Sequence, residues 1–409
     1  MRIECIAIGT ELLTTRRMDT NSVWLGERLA GLGLAFQRKT AVGDCREDLA
    51  ALFREALKRS DLILTTGGLG PTFDDFTKEL FAELLGADLV EDADSRAGMM
   101  AFYAARNRIP PQVNFKQALI PVGAEPLRNP VGTAPGVWWQ DPPGHPGVRI
   151  VMMPGVPREM KRMWEEQVEP RLEALARGAV HTLRMVVCGV PESNLDERTR
   201  AARARHGQLD WTILANLTQV ELLARGPDQA SLEAARLDFE PVLGADLACV
   251  GDGNLEDAVL DALKERGETL AVAESMTGGL LASRLTAIPG ASQVFLGGAT
   301  VYSVAAKAAL LGLDPAWLKE VGTVSEACAR ALAEAARQRL EASWTLAICG
   351  NAGPAAEGGA AVGAVFIALA GPGGTAVRAL TLAGDRGEIQ LRSTAVALDL
   401  LRRALSATR

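Results

Sequence analysis

The sequence predicts an α/β protein whose parallel sheets carry helices on both faces. Three observations predict it. Residues 1–90 alternate apolar strand-like runs with amphipathic helix-like ones, a glycine turn joins the third strand to the next helix, and the alternation returns after Asn254. At 409 residues the chain is expected to hold two or three domains.

IECIAIG (3–9) reads as the first strand. Ser22–Leu32 reads as an amphipathic helix, capped near Thr20 or Asn21 and ended by Gly31 and Gly33. Phe36–Val42 is the second strand, Asp48–Lys58 the second helix and Leu62–Thr66 the third strand. The glycine turn Gly67-Gly68-Leu69-Gly70-Pro71 follows, then Asp74 and Asp75, then a helix bearing Leu80, Phe81, Leu84 and Leu85 on one side. VRIVMMPG (148–155) resumes the strands, DPPGHPG (141–147) is a hairpin or surface loop, and PREMKRMWEEQVEPRL closes the domain as a helix. The composition changes near Arg177–Ala179. Two strands, HTLRMVVCGVP and TQVELLARGP, then flank a charged helix, with SLEAARLDFEPVLG as a second helix, giving a small α+β module. The predicted third domain has helices at 254–266, 304–312, 325–342 and 387–405, and another opening at Thr277. Its strands lie at 269–275, 295–302, 344–350, 362–370 and 376–383. The expected domains are therefore 1–176, 177–252 and 253–409.

Composition excludes several functions. A net charge of −7 argues against a nucleic-acid partner, and no apolar run is long enough to span a bilayer. MRIECIAIGTELL has too short an apolar stretch for a secretory signal and no small-residue cleavage site, so it is expected to be a strand, and the 6 cysteines form no C-x-x-C pair, so a reduced, cytoplasmic protein is expected. The 3 histidines lie at 145, 181 and 206. A metal held by the N-terminal part must then use oxygen ligands, and a nucleophile in the C-terminal part needs a base other than histidine.

Two constellations carry chemistry. In the first, Gly67, Gly68 and Gly70 let backbone N–H groups approach an anion at a helix start. Glu11, Asp44 and Asp75 follow three successive strands, so they are expected at one crevice, holding a divalent cation and a pyrophosphate. Asp74 or Asp75 is equally a helix cap, and Asp44 could cap the next helix. In the second, Ser275 ends a strand and Thr277, Gly278 and Gly279 open a helix, where N–H groups suit an oxyanion. Ser292, Tyr302 and Lys307 follow in GASQVFLGGATVYSVAAK (290–307). A lysine kept neutral by burial can serve as base to a serine, and Tyr302 and Lys307 are expected to face one pocket. On residue types alone, Ser275 is also a helix cap and Lys307 a solvated residue.

GTELL, DTNS, TAVGD, TTGGLGPTFDDFTKE, NPVGTAPG (129–136) and MPGVPREM resemble the N-terminal domain of the CinA family, the competence- and damage-inducible proteins. The resemblance implies a three-layer, molybdopterin-binding-like α/β domain. It also implies a divalent-metal-dependent ADP-ribose pyrophosphatase giving AMP and ribose 5-phosphate, with Asp44 and Asp75 at the site and Thr72 and Asn21 among the ligand contacts. The middle segment resembles the family's KH-like module, yet it has no GXXG loop or basic excess, which favours a spacer or dimerisation element. AESMTGG, PGASQVFLGGATVYSVAAK, VGTVSE, AGP and GDR resemble the family's nicotinamide mononucleotide deamidase domain. There the resemblance implies conversion to nicotinic acid mononucleotide and ammonia without a cofactor, by Ser275, Ser292, Tyr302 and Lys307. Either serine is the nucleophile and Lys307 the base; the family's phosphate-binding arginine is missing or displaced in this chain, and Arg386 is the candidate substitute.

This chain departs from that pattern. Met276 replaces cysteine, Val301 and Val304 replace polar residues, Asn351 replaces isoleucine, and Gln390 stands where arginine is usual, with Arg392 two residues on. Arg16 and Arg17, in LLTTRRMDTNS, either alter ligand contacts or face water. Both expected substrates, ADP-ribose and nicotinamide mononucleotide, derive from NAD breakdown, and a homodimer is the expected assembly. The alternatives are a molybdopterin-binding module, or an interaction protein of DNA uptake with a decayed C-terminal site.

Overall fold

The computed structural model describes residues 1–175, 181–356 and 359–407. The chain divides into two compact units, Met1–His181 and Thr182–Arg409. The expected boundary at Arg177–Ala179 lies outside the described residues. The segment expected as a separate module, 177–252, falls largely in the same compact unit as 253–409. No helix among the described residues is long and apolar enough to cross a membrane.

The first unit is built on a six-stranded sheet. Its strands are β1 (Ile3–Ile8), β2 (Phe36–Val42), β3 (Leu62–Thr66), β4 (Glu125–Leu127), β5 (Gly136–Gln140) and β6 (Arg149–Met153), in the order β2-β1-β3-β6-β5-β4. The first four in that order are parallel; β5 is antiparallel to β6, and β4, antiparallel to β5, again runs in the direction of the first four. β1 and β3 are buried throughout, as their continuous apolar runs require of central parallel strands. Alternate residues feed two cores. Ile6, Ile8 and Ile63 join Phe53, Phe81 and Trp139 on one face, while Ile3, Cys5 and Leu64 join Leu25, Leu29 and Trp164 on the other. The result is helix–sheet–helix, three layers.

Helix α1 (Thr20–Gly31) is capped by Asp19, which accepts from the Ser22 N–H at 2.9 Å; neither Thr20 nor Asn21 is the cap. α2 covers Arg46–Arg59 and α3 covers Thr77–Leu85, the latter ended by Gly86 in the left-handed region. The closing helix is not continuous. An α turn over Pro157–Met163 passes through a π turn, Trp164–Val168, into Glu169–Glu173. Pro170 lies just beyond and cannot donate its own backbone bond.

The second unit carries two sheets. Strands β7 (His181–Val187), β8 (Asp210–Ala215), β9 (Val220–Gly226) and β10 (Leu247–Val250) run in the order β8-β9-β7-β10. Helices Glu192–Arg205 and Gln229–Leu243 bury Leu195, Leu232 and Phe239 against them. The other sheet has β11 (Leu270–Glu274), β12 (Phe295–Thr300), β13 (Trp344–Gly350), β14 (Ala364–Gly371) and β15 (Gly374–Thr381), in the order β12-β11-β13-β14-β15. β12, β11 and β13 are parallel, and a hairpin joins β14 and β15. The long terminal helix, Arg386–Ala407, binds the two layers together. Buried Arg402 donates to Asp399 and to the Ala245 carbonyl at 2.6 Å each, and Arg403 reaches Asp246. That ionic seam ties 245–247 to the terminal helix within one compact unit.

Candidate active sites

In the first unit, parallel register places four loops at one sheet edge. They are Gly9–Glu11 after β1, Asp44 after β2, Gly67–Asp75 after β3 and Gly155 after β6. The glycines are required by the packing. A Cβ on Gly67 would strike the Ile8 carbonyl, one on Gly68 the Thr77 hydroxyl, and one on Gly70 the Asp75 carboxylate. Gly67 and Gly68 also have φ of +104° and +68°. The Gly67 N–H is spent on the Met153 carbonyl at 3.0 Å. The N–H groups of Gly68, Leu69 and Gly70 have no protein acceptor among the described residues, so any backbone donors this turn can offer are those of 68–70.

The acidic side chains do not gather as expected. Among the described residues, no three histidine, cysteine or acidic side chains stand close enough to hold one ion, so Glu11, Asp44 and Asp75 form no cage. Each has a separate engagement. Asp44 accepts from the Thr10 N–H at 2.7 Å, while its own N–H donates to the Thr10 hydroxyl at 3.1 Å, so it does not cap α2. Asp75 accepts from the Thr72 N–H at 3.0 Å and from the Thr72 hydroxyl, so Thr72 braces Asp75 and is not a free ligand contact. The Glu11 carboxylate lies against Gly9. Neither aspartate caps α3, whose N-cap position is Phe76. Mg²⁺ usually takes one or two carboxylates together with phosphate oxygens and water. Asp44 and Asp75, each with one oxygen outside these bonds, fit that open mode.

Two buried oxygens mark the same edge. Asn21 donates to the Gly155 carbonyl at 2.8 Å, while its Oδ1 is buried without a partner. Gly155 in turn lies close against Gly67. Asp74 Oδ1 is also buried and unpartnered. Sequence reasoning missed the braces behind the turn. Lys116 donates to the Asp75 carbonyl at 2.7 Å and to the Thr72 carbonyl, and buried Lys78 donates to Gln117 at 2.6 Å. Burial pushes the Lys78 amine down to about 8. Also missed was a cavity of about 1080 Å³ in this unit, lined by Met99, Phe102, Arg106, Asn129 and Thr133 and by none of the expected residues. Only the NPVGTAPG motif pointed toward it. Arg16 and Arg17 are exposed.

In the second unit Ser275 follows β11, and its hydroxyl lies 3.2 Å from Lys307 Nζ. Lys307 is 1% exposed and donates to the Val301 carbonyl at 2.7 Å. Its pKa is lowered by burial, against a weaker opposing effect from the buried thiols Cys328 and Cys349. Val301 therefore contributes through its backbone, and its apolar side chain, in the core, removes nothing from the amine.

The turn after Ser275 differs from expectation. The helix begins at Leu280, not Thr277, and its free N–H groups are already occupied. The buried Glu274 carboxylate accepts from Gly279, Leu281 and Ala282 at 3.2, 3.0 and 2.8 Å. Gly278 donates to the Ser275 carbonyl. Gly278 and Gly279 thus bind no ligand through N–H groups. The donors left beside Ser275 are the N–H groups of Met276 and Thr277, which have no acceptor among the described residues, and the buried, unpartnered Thr277 hydroxyl. Gln390, in place of the family's arginine, donates to the Met276 carbonyl at 2.6 Å and pins this turn.

Ser292 is elsewhere. It precedes β12, while Ser275 follows the parallel strand β11, so the two serines sit at opposite sheet edges. Five strand residues separate those edges by about 17 Å. Ser292 is also exposed, and within one chain it cannot exchange a proton with Lys307. Tyr302 does not share the buried space of Lys307 either. It is 62% exposed, and its hydroxyl accepts from Arg386 at 2.9 Å. Arg386 also donates to the Gly353 carbonyl at 2.6 Å, and Asn351 holds the Gly353 N–H at 2.9 Å. Arg392 turns away to Ala383.

Comparison with known proteins accounts for both units. Residues 4–174 match the model of a probable molybdopterin binding domain, and residues 252–405 match the CinA C-terminal domain. A CinA-like protein of Prochlorococcus marinus is 43% identical over 98% of this chain and 96% of its own. The chain belongs to the CinA family. A CinA-like protein of Myxococcus xanthus is 38% identical over 100% of this chain and 99% of its own. A CinA protein of unknown function from Thermoplasma acidophilum has been solved. It is 37% identical, covers 41% of this chain and 96% of its own, and has a TM-score of 0.37.

Proposed function

We propose that this CinA-family chain is a two-site hydrolase of pyridine-nucleotide metabolism, cleaving ADP-ribose in the first unit and the amide of nicotinamide mononucleotide in the second. The observation that carries the reading is the contact between Ser275 Oγ and a buried Lys307 amine, 3.2 Å apart. Desolvation favours the neutral amine, which has a lone pair for the serine proton while an N–H stays on Val301. Ser275 Oγ attacks the amide carbon and its proton passes to Lys307. The oxygen that becomes anionic is met by the Met276 and Thr277 N–H groups. Lys307 returns the proton to the departing nitrogen, giving ammonia and an ester on Ser275. Water then loses a proton to the same amine and bonds to the ester carbon, and Lys307 returns that proton to Ser275 Oγ as the ester bond breaks, releasing the nicotinic acid nucleotide. Arg386, held out by Tyr302 and Gly353, is the cation for the substrate phosphate.

In the first unit the N–H groups of Gly68, Leu69 and Gly70 receive the pyrophosphate. A divalent ion held by Asp44 and Asp75 with the phosphates would neutralise charge there. Asn21 Oδ1, buried and unpaired, offers an acceptor to a ribose hydroxyl.

Product analysis on the full chain tests both halves. AMP release from ADP-ribose with Mg²⁺ or Mn²⁺, lost in Asp75→Ala, supports the first. Ammonia from nicotinamide mononucleotide, lost in Lys307→Ala, supports the second. Tight pterin binding without AMP release under any ion favours the binding reading that the molybdopterin-domain match also suits.

A further inference from the structure

We propose that Phe73 is a stacking platform for the base of a purine nucleotide whose phosphates lie at the glycine turn; this rests on the nucleotide reading of the first unit. Phe73 is 95% exposed, yet its loop is fixed on both sides. Thr72 is tied to Asp75 through its N–H and hydroxyl, and Lys116 spans the Thr72 and Asp75 carbonyls. A phenyl ring on a slack loop would fold inward, since burying one is worth about 1.5–3 kcal/mol. This one is held out by a braced backbone.

Its surroundings point to a ligand. The next residue, Asp74, has a buried oxygen without a partner, as does Asn21, which is bonded to Gly155 beside Gly67. The N–H groups of residues 68–70 have no acceptor among the described residues. An anion cradle and a bare aromatic face are thus joined by three residues of chain, a reach of at most about 11 Å. The two suit the phosphate and base ends of one nucleotide, with ribose between. A purine gains more than a pyrimidine from stacking on such a phenyl ring because its stacked area is larger.

The test is equilibrium binding of AMP and of ribose 5-phosphate, with Mg²⁺ present, to the full chain as wild type, Phe73→Ala, Phe73→Leu and Phe73→Trp. The side chain is exposed, so the fold tolerates all three. AMP should bind about tenfold or more weakly to Phe73→Ala, with Phe73→Leu intermediate and Phe73→Trp unchanged or tighter, while ribose 5-phosphate is unaffected. Equal AMP affinity in wild type and Phe73→Ala overturns the proposal. So does parallel loss of ribose 5-phosphate, absence of AMP binding by the wild type, or a change confined to sedimentation, which would assign the ring to a contact between copies. Wild-type AMP binding that depends on Phe73, without AMP release from ADP-ribose, would remove the hydrolase reading alone. Hydrolysis with an unchanged KM in Phe73→Ala would remove this proposal alone.

Discussion

Glu274→Gln should destabilise the second unit out of proportion to so small a change. The carboxylate is 1% exposed and accepts three backbone N–H groups at a helix start, at 2.8–3.2 Å. Hydrogen bonds to a charged group are worth about 1.5–3 kcal/mol each, and an anion in a helix's first turn adds up to about 2 kcal/mol when partly buried. An amide of the same shape keeps one carbonyl acceptor. It turns an NH₂ toward N–H donors and surrenders the charge, so the expected cost is about 3–5 kcal/mol. Urea unfolding of the full chain, followed by fluorescence of the seven tryptophans, reads this as a lower midpoint for one transition. Deamidase activity should fall as well, because the same carboxylate fixes the turn between Ser275 and Leu280. A midpoint shift equivalent to less than about 0.5 kcal/mol would refute the reasoning and make Glu274 a bystander.

Other predictions follow from the same geometry. Ser275→Ala should abolish ammonia release while Ser292→Ala leaves the chemical step intact, checked by a coupled ammonia assay; the reverse pattern would place the nucleophile at the far sheet edge. Amidase kcat/KM should rise with pH and level off as Lys307 loses its proton, at a pH below the ordinary lysine value of 10.5, and Lys307→Arg should be inactive at every pH. The Lys78 amine titrates at about 8 when folded against 10.5 when free, so as pH falls from 10.5 the unfolded chain takes up a proton first. Folding is opposed most below about pH 8, by about 3 kcal/mol, and that penalty is relieved as pH rises to 10.5. Urea midpoints at pH 7.5 and 9.5 should therefore diverge in the wild type and converge in Lys78→Met, while equal shifts in both would refute it.

The scaffold was largely legible. The apolar runs of β1 and β3 could only be central parallel strands, and the chain order of loops after β1, β2 and β3 placed Asp44 and the glycine turn at one edge. Elements without such patterning escaped: β8, with its half-exposed DWTILA, and β10, with only four residues. At the sites, residue type was readable but engagement was not. Nothing in AESMTGG says that Glu274 folds back to fill the very N–H groups expected to bind a ligand. Nor does the sequence between Gly290 and Lys307 say that its serine and its lysine lie at opposite ends of a strand. The metal cage failed for a similar reason. Asp44 is engaged by Thr10 of a different loop and Asp75 by Thr72 three residues before it, bonds that carboxylate spacing does not reveal.

The central claim is that Ser275 becomes covalently acylated with Lys307 as its base. Acid quenching of the full chain during turnover of nicotinamide mononucleotide, followed by peptide mass analysis, tests it directly. The account predicts a nicotinoyl nucleotide ester on the peptide bearing Ser275, absent in Lys307→Ala. An adduct on the Ser292 peptide, or undiminished ammonia release from Ser275→Ala, would contradict it.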